Sequence, residues 1–115
     1  NEPLPRRKTA RPARPSAEPS LPMTLGLLVL ELEIFGAQSL KEKRFILRSL
    51  LDRLPQQHNV SVAETRHQDL WQRSEIAIAS VGSSRAVVEA TLSKVDLSVE
   101  RNGQLRVIDQ FLTFY

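Results

Sequence analysis

Beyond residue 22, hydrophobic and polar positions fall into six blocks with distinct periods. From Leu25 to Phe35, LGLLVLELEIF, they alternate: Leu28, Leu30, Leu32 and Ile34 share one face, and Leu27, Val29, Glu31, Glu33 and Phe35 the other. A period of two predicts a strand. Gly36-Ala37-Gln38 turns the chain, and a helical period follows over Ser39–Leu54, with Leu40, Ile46, Leu47, Leu50, Leu51 and Leu54 as its apolar stripe. Ser39 and Glu42 have capping-box spacing: the hydroxyl accepts from a first-turn amide and the carboxylate reaches back to the cap. Pro55 is expected to end this helix, because the residue before a proline is steered out of the helical region.

A second strand is expected over Val60–Arg66, with Val60 and Val62 on one face, then a polar connector, His67–Gln72. The third strand, Arg73–Val81, sets Ile76 and Ile78 against Ala77, Ala79 and Val81. Ser83 or Ser84 caps a second helix, whose stripe is Val88, Leu92, Val95 and Val99. Asn102-Gly103 is its expected stop, through a left-handed glycine. The last strand, Leu105–Tyr115, is apolar on both sides: Leu105, Val107 and Phe111 alternate with Ile108, Leu112 and Phe114.

The order β-α-β-β-α-β is the split arrangement of an α+β, ferredoxin-like domain. Two helices would cover one face of a four-stranded antiparallel sheet, with the first and third strands central. The first helix, with its six large apolar residues, should be the main lid. A KH-like arrangement is the alternative, but the chain has no GXXG loop. The uncovered sheet face would gather Leu27, Val29, Ala77, Ala79, Ile108 and Leu112. An apolar face and an apolar edge strand need covering, so a homodimer through the sheet face or the strand 4 edge is expected.

Charge changes the picture only after it is divided. The net charge of +3 arises entirely in residues 1–22, where five cations face two carboxylates; eleven of each sign remain in the rest. That segment holds six of the seven prolines and reads as a disordered basic tail, leaving residues 23–115 as the domain. It could touch nucleic acid, or be an upstream extension, since Met23 is the only methionine. The neutral body can recognise an anion only where its charge is locally concentrated. There is no cysteine, which removes disulfide and thiolate chemistry and fits a reducing, cytoplasmic setting. No apolar run approaches the roughly 20 residues of a membrane helix.

The best local concentration is Lys41, Arg44 and Arg48 on one flank of the first helix, a possible phosphate-binding stripe. Its bland counterpart is a solvated flank partly neutralised by Glu42 and Asp52. Lys43 projects into the apolar face and would have to snorkel past the core edge. In the connector, Trp71 is expected to pack against a helix end; exposed between Arg66 and Arg73, it would instead be a base-stacking platform. Glu64, His67 and Asp69 invite a metal reading, but strand spacing sends Glu64 and His67 to opposite faces. Glu31 and Glu33 are best explained by a sheet face open to water. With no nucleophile motif or phosphate loop, no enzyme, catalytic residue, metal or cofactor is expected.

Two stretches, AQSLKEKR at Ala37–Arg44 and NVSVAETRHQDLWQR at Asn59–Arg73, resemble the YlxP-like family of small bacterial proteins of unknown function. The resemblance spans Thr24–Tyr115. It implies a ferredoxin-like domain and a gene setting beside transcription, initiation and ribosome-maturation factors, without any established catalytic residue. The expectation is an accessory protein that binds RNA or a ribosomal subunit, with Lys41, Arg44, Arg48, Arg66, Trp71 and Arg73 as candidate contacts. The alternative is a protein-interaction module working through the open sheet face or a strand edge.

Overall fold

The computed structural model describes residues 23–115, so the expected tail lies outside the described residues. The elements are β1 (Thr24–Glu33), α1 (Leu40–Gln57), β2 (Ser61–Arg66), β3 (Arg73–Gly82), α2 (Arg85–Glu100) and β4 (Arg106–Phe114). They form one antiparallel sheet in the order β2-β3-β1-β4. This is the expected ferredoxin-like arrangement, with β1 and β3 central.

The alternation of β1 translates directly into the core. Leu28, Leu30 and Leu32 are buried beside Ile76 and Ile78 of β3. Over them lie Ile46, Leu47, Leu50 and Leu54 of α1 and Val88, Leu92, Val95 and Val99 of α2. Each such side chain contributes about 1.5–3 kcal/mol by leaving water, as an upper estimate. Ser39 and Ser84 are the N-caps, their hydroxyls accepting from the amides of Glu42 and Val87. The Glu42 carboxylate reaches one residue past the cap, accepting from the Gln38 amide at 2.7 Å.

The first helix shares the lid with the second, each burying four apolar side chains. α2 comes closest to the sheet, against β1, β3 and β4, whereas α1 lies closest to β2. Valines on α2 and a glycine beneath it permit the approach. A Cβ at Gly26 would sit 2.6 Å from Val88 Cγ1 and 2.8 Å from Leu92 Cδ1. At the start of α2, the Arg85 guanidinium lies 4.1 Å from the Phe114 ring centroid, a cation–π contact.

Three local expectations are corrected. Pro55 does not end α1, which runs to Gln57. The proline lies in the last turn and removes the amide that would bond the Leu51 carbonyl, yet the turn closes because His58 N–H still donates to the Leu54 carbonyl at 2.9 Å. Gly103 is not left-handed: no glycine among the described residues has a positive φ. Asn102 makes the turn instead, its side-chain oxygen accepting from Gln104 N–H at 2.9 Å.

The third correction changes a surface. β4 carries a bulge: Val107 opposes Leu32 and Asp109 opposes Glu31, leaving Ile108 out of the ladder. Beyond it, Leu112 opposes Leu28 and Phe111 opposes Val29. Val107 and Leu112 therefore both face the helices, and Phe111 faces the open side. Strict alternation had put Leu112 on the open face and Phe111 with Val107, because one unpaired residue inverts every position after it.

Gly26→Ala is expected to cost about 1–3 kcal/mol through overpacking under α2, measured by denaturant unfolding. An unchanged midpoint would show that α2 lifts freely.

Candidate functional site

The two stretches flanking α1 and β2 meet around one buried ammonium. Lys43 lies on the inner side of α1 and is fully buried, where a snorkelling side chain was expected. Its Nζ lies 2.8 Å from Glu64 Oε2 and donates to the His67 carbonyl at 2.8 Å and the Gln68 carbonyl at 3.4 Å. The register explains this: Glu64 opposes Ile76, so its side chain points to the helix side of β2. Ser74, also buried, donates to the same Glu64 oxygen at 2.8 Å. A buried ammonium without such partners would be too costly to keep, so it stays inside only because three oxygens surround it.

The connector takes its shape from these bonds. His67 adopts φ 67°, the left-handed region that most residues avoid, with its carbonyl turned to Lys43. Leu70 N–H donates back to the same carbonyl at 3.1 Å. Gln72 Nε2 donates to the Ala37 carbonyl at 2.8 Å, and Ile34 N–H to the Gln72 carbonyl at 2.8 Å. The β1–α1 turn and the β2–β3 connector are thus stitched into one unit. Trp71 is not packed away but 53% exposed. The space under the connector holds the Lys43 stem, and its polar bonds, rather than the indole, fix the loop.

On the open sheet face most charges are paired, Asp109 being the exception among the described residues. Glu75, Glu31 and Asp109 stand side by side across β3, β1 and β4, a row of like charges that needs compensation. Arg73 donates to Glu31 at 2.6 Å, and His67 Nε2 lies 3.0 Å from the same carboxylate oxygen. Arg106 lies 2.7 Å from Glu33, and Arg66 3.8 Å from Glu75. Glu31 and Glu33 therefore serve as partners of cations on the water-facing side. Glu64 and His67 do lie on opposite faces, but not through strict alternation: the β2–β3 register shifts between Glu64 and Arg66, and His67 lies beyond the strand with a left-handed backbone. The other end of this face is apolar: Leu25, Val81 and Phe111 are exposed, with Leu27, Val29, Ala77 and Ala79 half-buried among them.

The outer flank of α1 differs. Lys41, Arg44 and Arg48 are all exposed there, with no ion-pair partner among the described residues. Phe45 stands in their midst, 79% exposed. Positions 41, 44, 45 and 48 follow i, i+3, i+4, i+7, so the four side chains form one patch. Open hollows flank the ring: about 310 Å³ lined by Lys41, Arg44, Phe45 and Arg48, and about 610 Å³ reaching Gly36, Ser39 and Gln104.

The six candidate RNA contacts thus divide. Lys41, Arg44 and Arg48 gather; Arg66 and Arg73 lie on the opposite face, engaged with carboxylates; Trp71 stays in the connector. Sequence reasoning missed Phe45, although its signal was present as the one large apolar residue off the α1 stripe. One buried polar atom also lacks a partner among the described residues, Asp96 Oδ1 on α2. Burial, then the neighbouring Glu100, raises the Asp96 pKa above its ordinary value.

A family model described as "Protein of unknown function (DUF503)" matches residues 25–111, and the chain belongs to that family. The chain is also similar to "Uncharacterized protein YlxP" of Bacillus subtilis, with 44% identity over 71 residues, 62% of this chain and 77% of that protein.

Lys43→Met should cost about 1.5–3 kcal/mol, because it leaves the half-buried Glu64 without its ammonium partner. Adding Glu64→Met should recover most of that loss, giving a large coupling in a double-mutant cycle read by chemical denaturation. Additive effects would mean that the pair is incidental.

Proposed function

We propose that this DUF503-family chain is a cytoplasmic, non-catalytic accessory protein of ribosome maturation that binds RNA through the outer flank of α1. One observation carries the reading: Lys41, Arg44 and Arg48 share an exposed flank and are unpaired among the described residues. In a body with eleven charges of each sign, this is where cations are concentrated enough to give a field for phosphates. Lys41, in the first turn of α1, also opposes the helix dipole by about 0.3–1 kcal/mol, a placement that folding alone does not favour. The ribosomal setting comes from the gene neighbourhood that the family resemblance implies.

A second reading, a homodimer, draws on the apolar end of the open sheet face. Phe111 is 60% and Val81 53% exposed there. The carboxylates Glu31, Glu33 and Glu75 are matched within the chain, leaving Asp109 as the one unpaired carboxylate of the row among the described residues. A second copy, apposed through the same patch or along the β4 edge, would cover apolar surface without opposing fields.

Changing Lys41, Arg44 and Arg48 together to alanine should leave stability within about 0.5 kcal/mol per site. Binding to ribosomal RNA should weaken, and the log–log salt slope should flatten by about 0.7 per lost phosphate contact. Neutralising the five cations of residues 1–22 in both proteins removes their background. Unchanged affinity and slope would reject the RNA reading.

For the second reading, sedimentation of the full chain should show a dimer that Phe111→Ser shifts toward monomer. A monomer at high micromolar concentration would reject it.

A further inference from the structure

Phe45 projects from the centre of the α1 cation patch, where its neighbours one turn away among the described residues are Lys41, Glu42, Arg48 and Ser49. Resting on the RNA reading above, we infer that the ligand at this patch is single-stranded RNA with a base stacked on the Phe45 ring. Three observations converge. The ring is 79% exposed, the highest value among the exposed large hydrophobics. Lys41 lies one turn before it, Arg44 immediately before and Arg48 one turn after, so phosphates on either side of a stacked base would meet a cation. Open hollows on both sides of the ring leave room for flat groups.

The patch is also the wrong size for a duplex. From Lys41 to Arg48 the helix advances only about 10 Å, at ~1.5 Å per residue. A double-stranded RNA reader spans about 16 base pairs and contacts two successive minor grooves. A duplex would also keep its base faces stacked on each other, leaving the exposed ring nothing flat to meet. An unpaired base, by contrast, has a free π-face, whatever its identity. The inferred site is therefore tolerant of sequence and selective for strandedness.

The test compares the full-length wild type with Phe45→Ala, Phe45→Tyr and the triple alanine change of Lys41, Arg44 and Arg48. The probes are an unstructured oligouridine and an RNA duplex of the same strand length. Phe45→Ala should weaken binding to the oligouridine by roughly 5- to 150-fold, with the salt slope unchanged, while Phe45→Tyr retains it. In a Trp71→Phe background, the indole introduced by Phe45→Trp should be quenched by the oligouridine and not by the duplex. If the triple change abolishes binding while Phe45→Ala does not, stacking is overturned and the phosphate reading stands. If neither change matters, both fall. A preference for the duplex would overturn the inference alone.

Discussion

The burial of one ammonium group is the condition that the upper part of this fold must satisfy. Lys43 has no exposed surface, and an ion of its size loses several kcal/mol of hydration on entering a protein interior. That loss is offset only if oxygens are placed around it. The requirement turns Glu64 inward on β2, sets Ser74 beside it, and points two connector carbonyls toward α1. His67 accepts a left-handed backbone as part of the same arrangement, which also carries its ring to Glu31 on the opposite face. One side chain thereby couples the start of α1, the end of β2 and the polar end of the open sheet.

The two faces differ in what their charges do. On the sheet, arginines and carboxylates are matched at short range, and exposed pairs of that kind contribute about 0–1 kcal/mol each. Their larger effect is to cancel the field. On the outer flank of α1 no carboxylate among the described residues pairs with the cations, though Glu42 and Asp52 lie on the same helix, so the same residue types leave a positive surface around an exposed ring. Charge placement relative to partners, rather than charge count, separates a folding element from a recognition surface here.

Most of the fold was legible because the periods were clean. Leu28 to Ile34 alternate without interruption, and Val88, Leu92, Val95 and Val99 are the four buried positions of α2. What could not be read were features that depend on a second strand or helix. Lys43 looked like a lysine straining toward water, since nothing local announced that Glu64 would arrive from β2. Trp71 looked like an anchor because of its size, yet the connector is anchored by its backbone. Phe45 was hidden among charges, where an apolar residue reads as noise until the helix is seen from outside. The β4 faces were misassigned because a bulge is a property of a pair of strands, and Ile108 carries no glycine or proline to mark it.

That bulge sets which changes of length β4 can absorb. Ile108 has no opposite number on β1, so a chain lacking it would pair Val107 and Asp109 with the same partners as before. A chain lacking Gln110 would have to give up either the bulge or the alignment beyond it. Keeping the bulge would swing Phe111 toward the helices and Leu112 toward water, turning over the far half of the strand. Giving it up would drive Asp109 into the layer of Leu30. Within β4, then, a deletion at Ile108 is a shortening, whereas a deletion two residues later is a rearrangement of the interior.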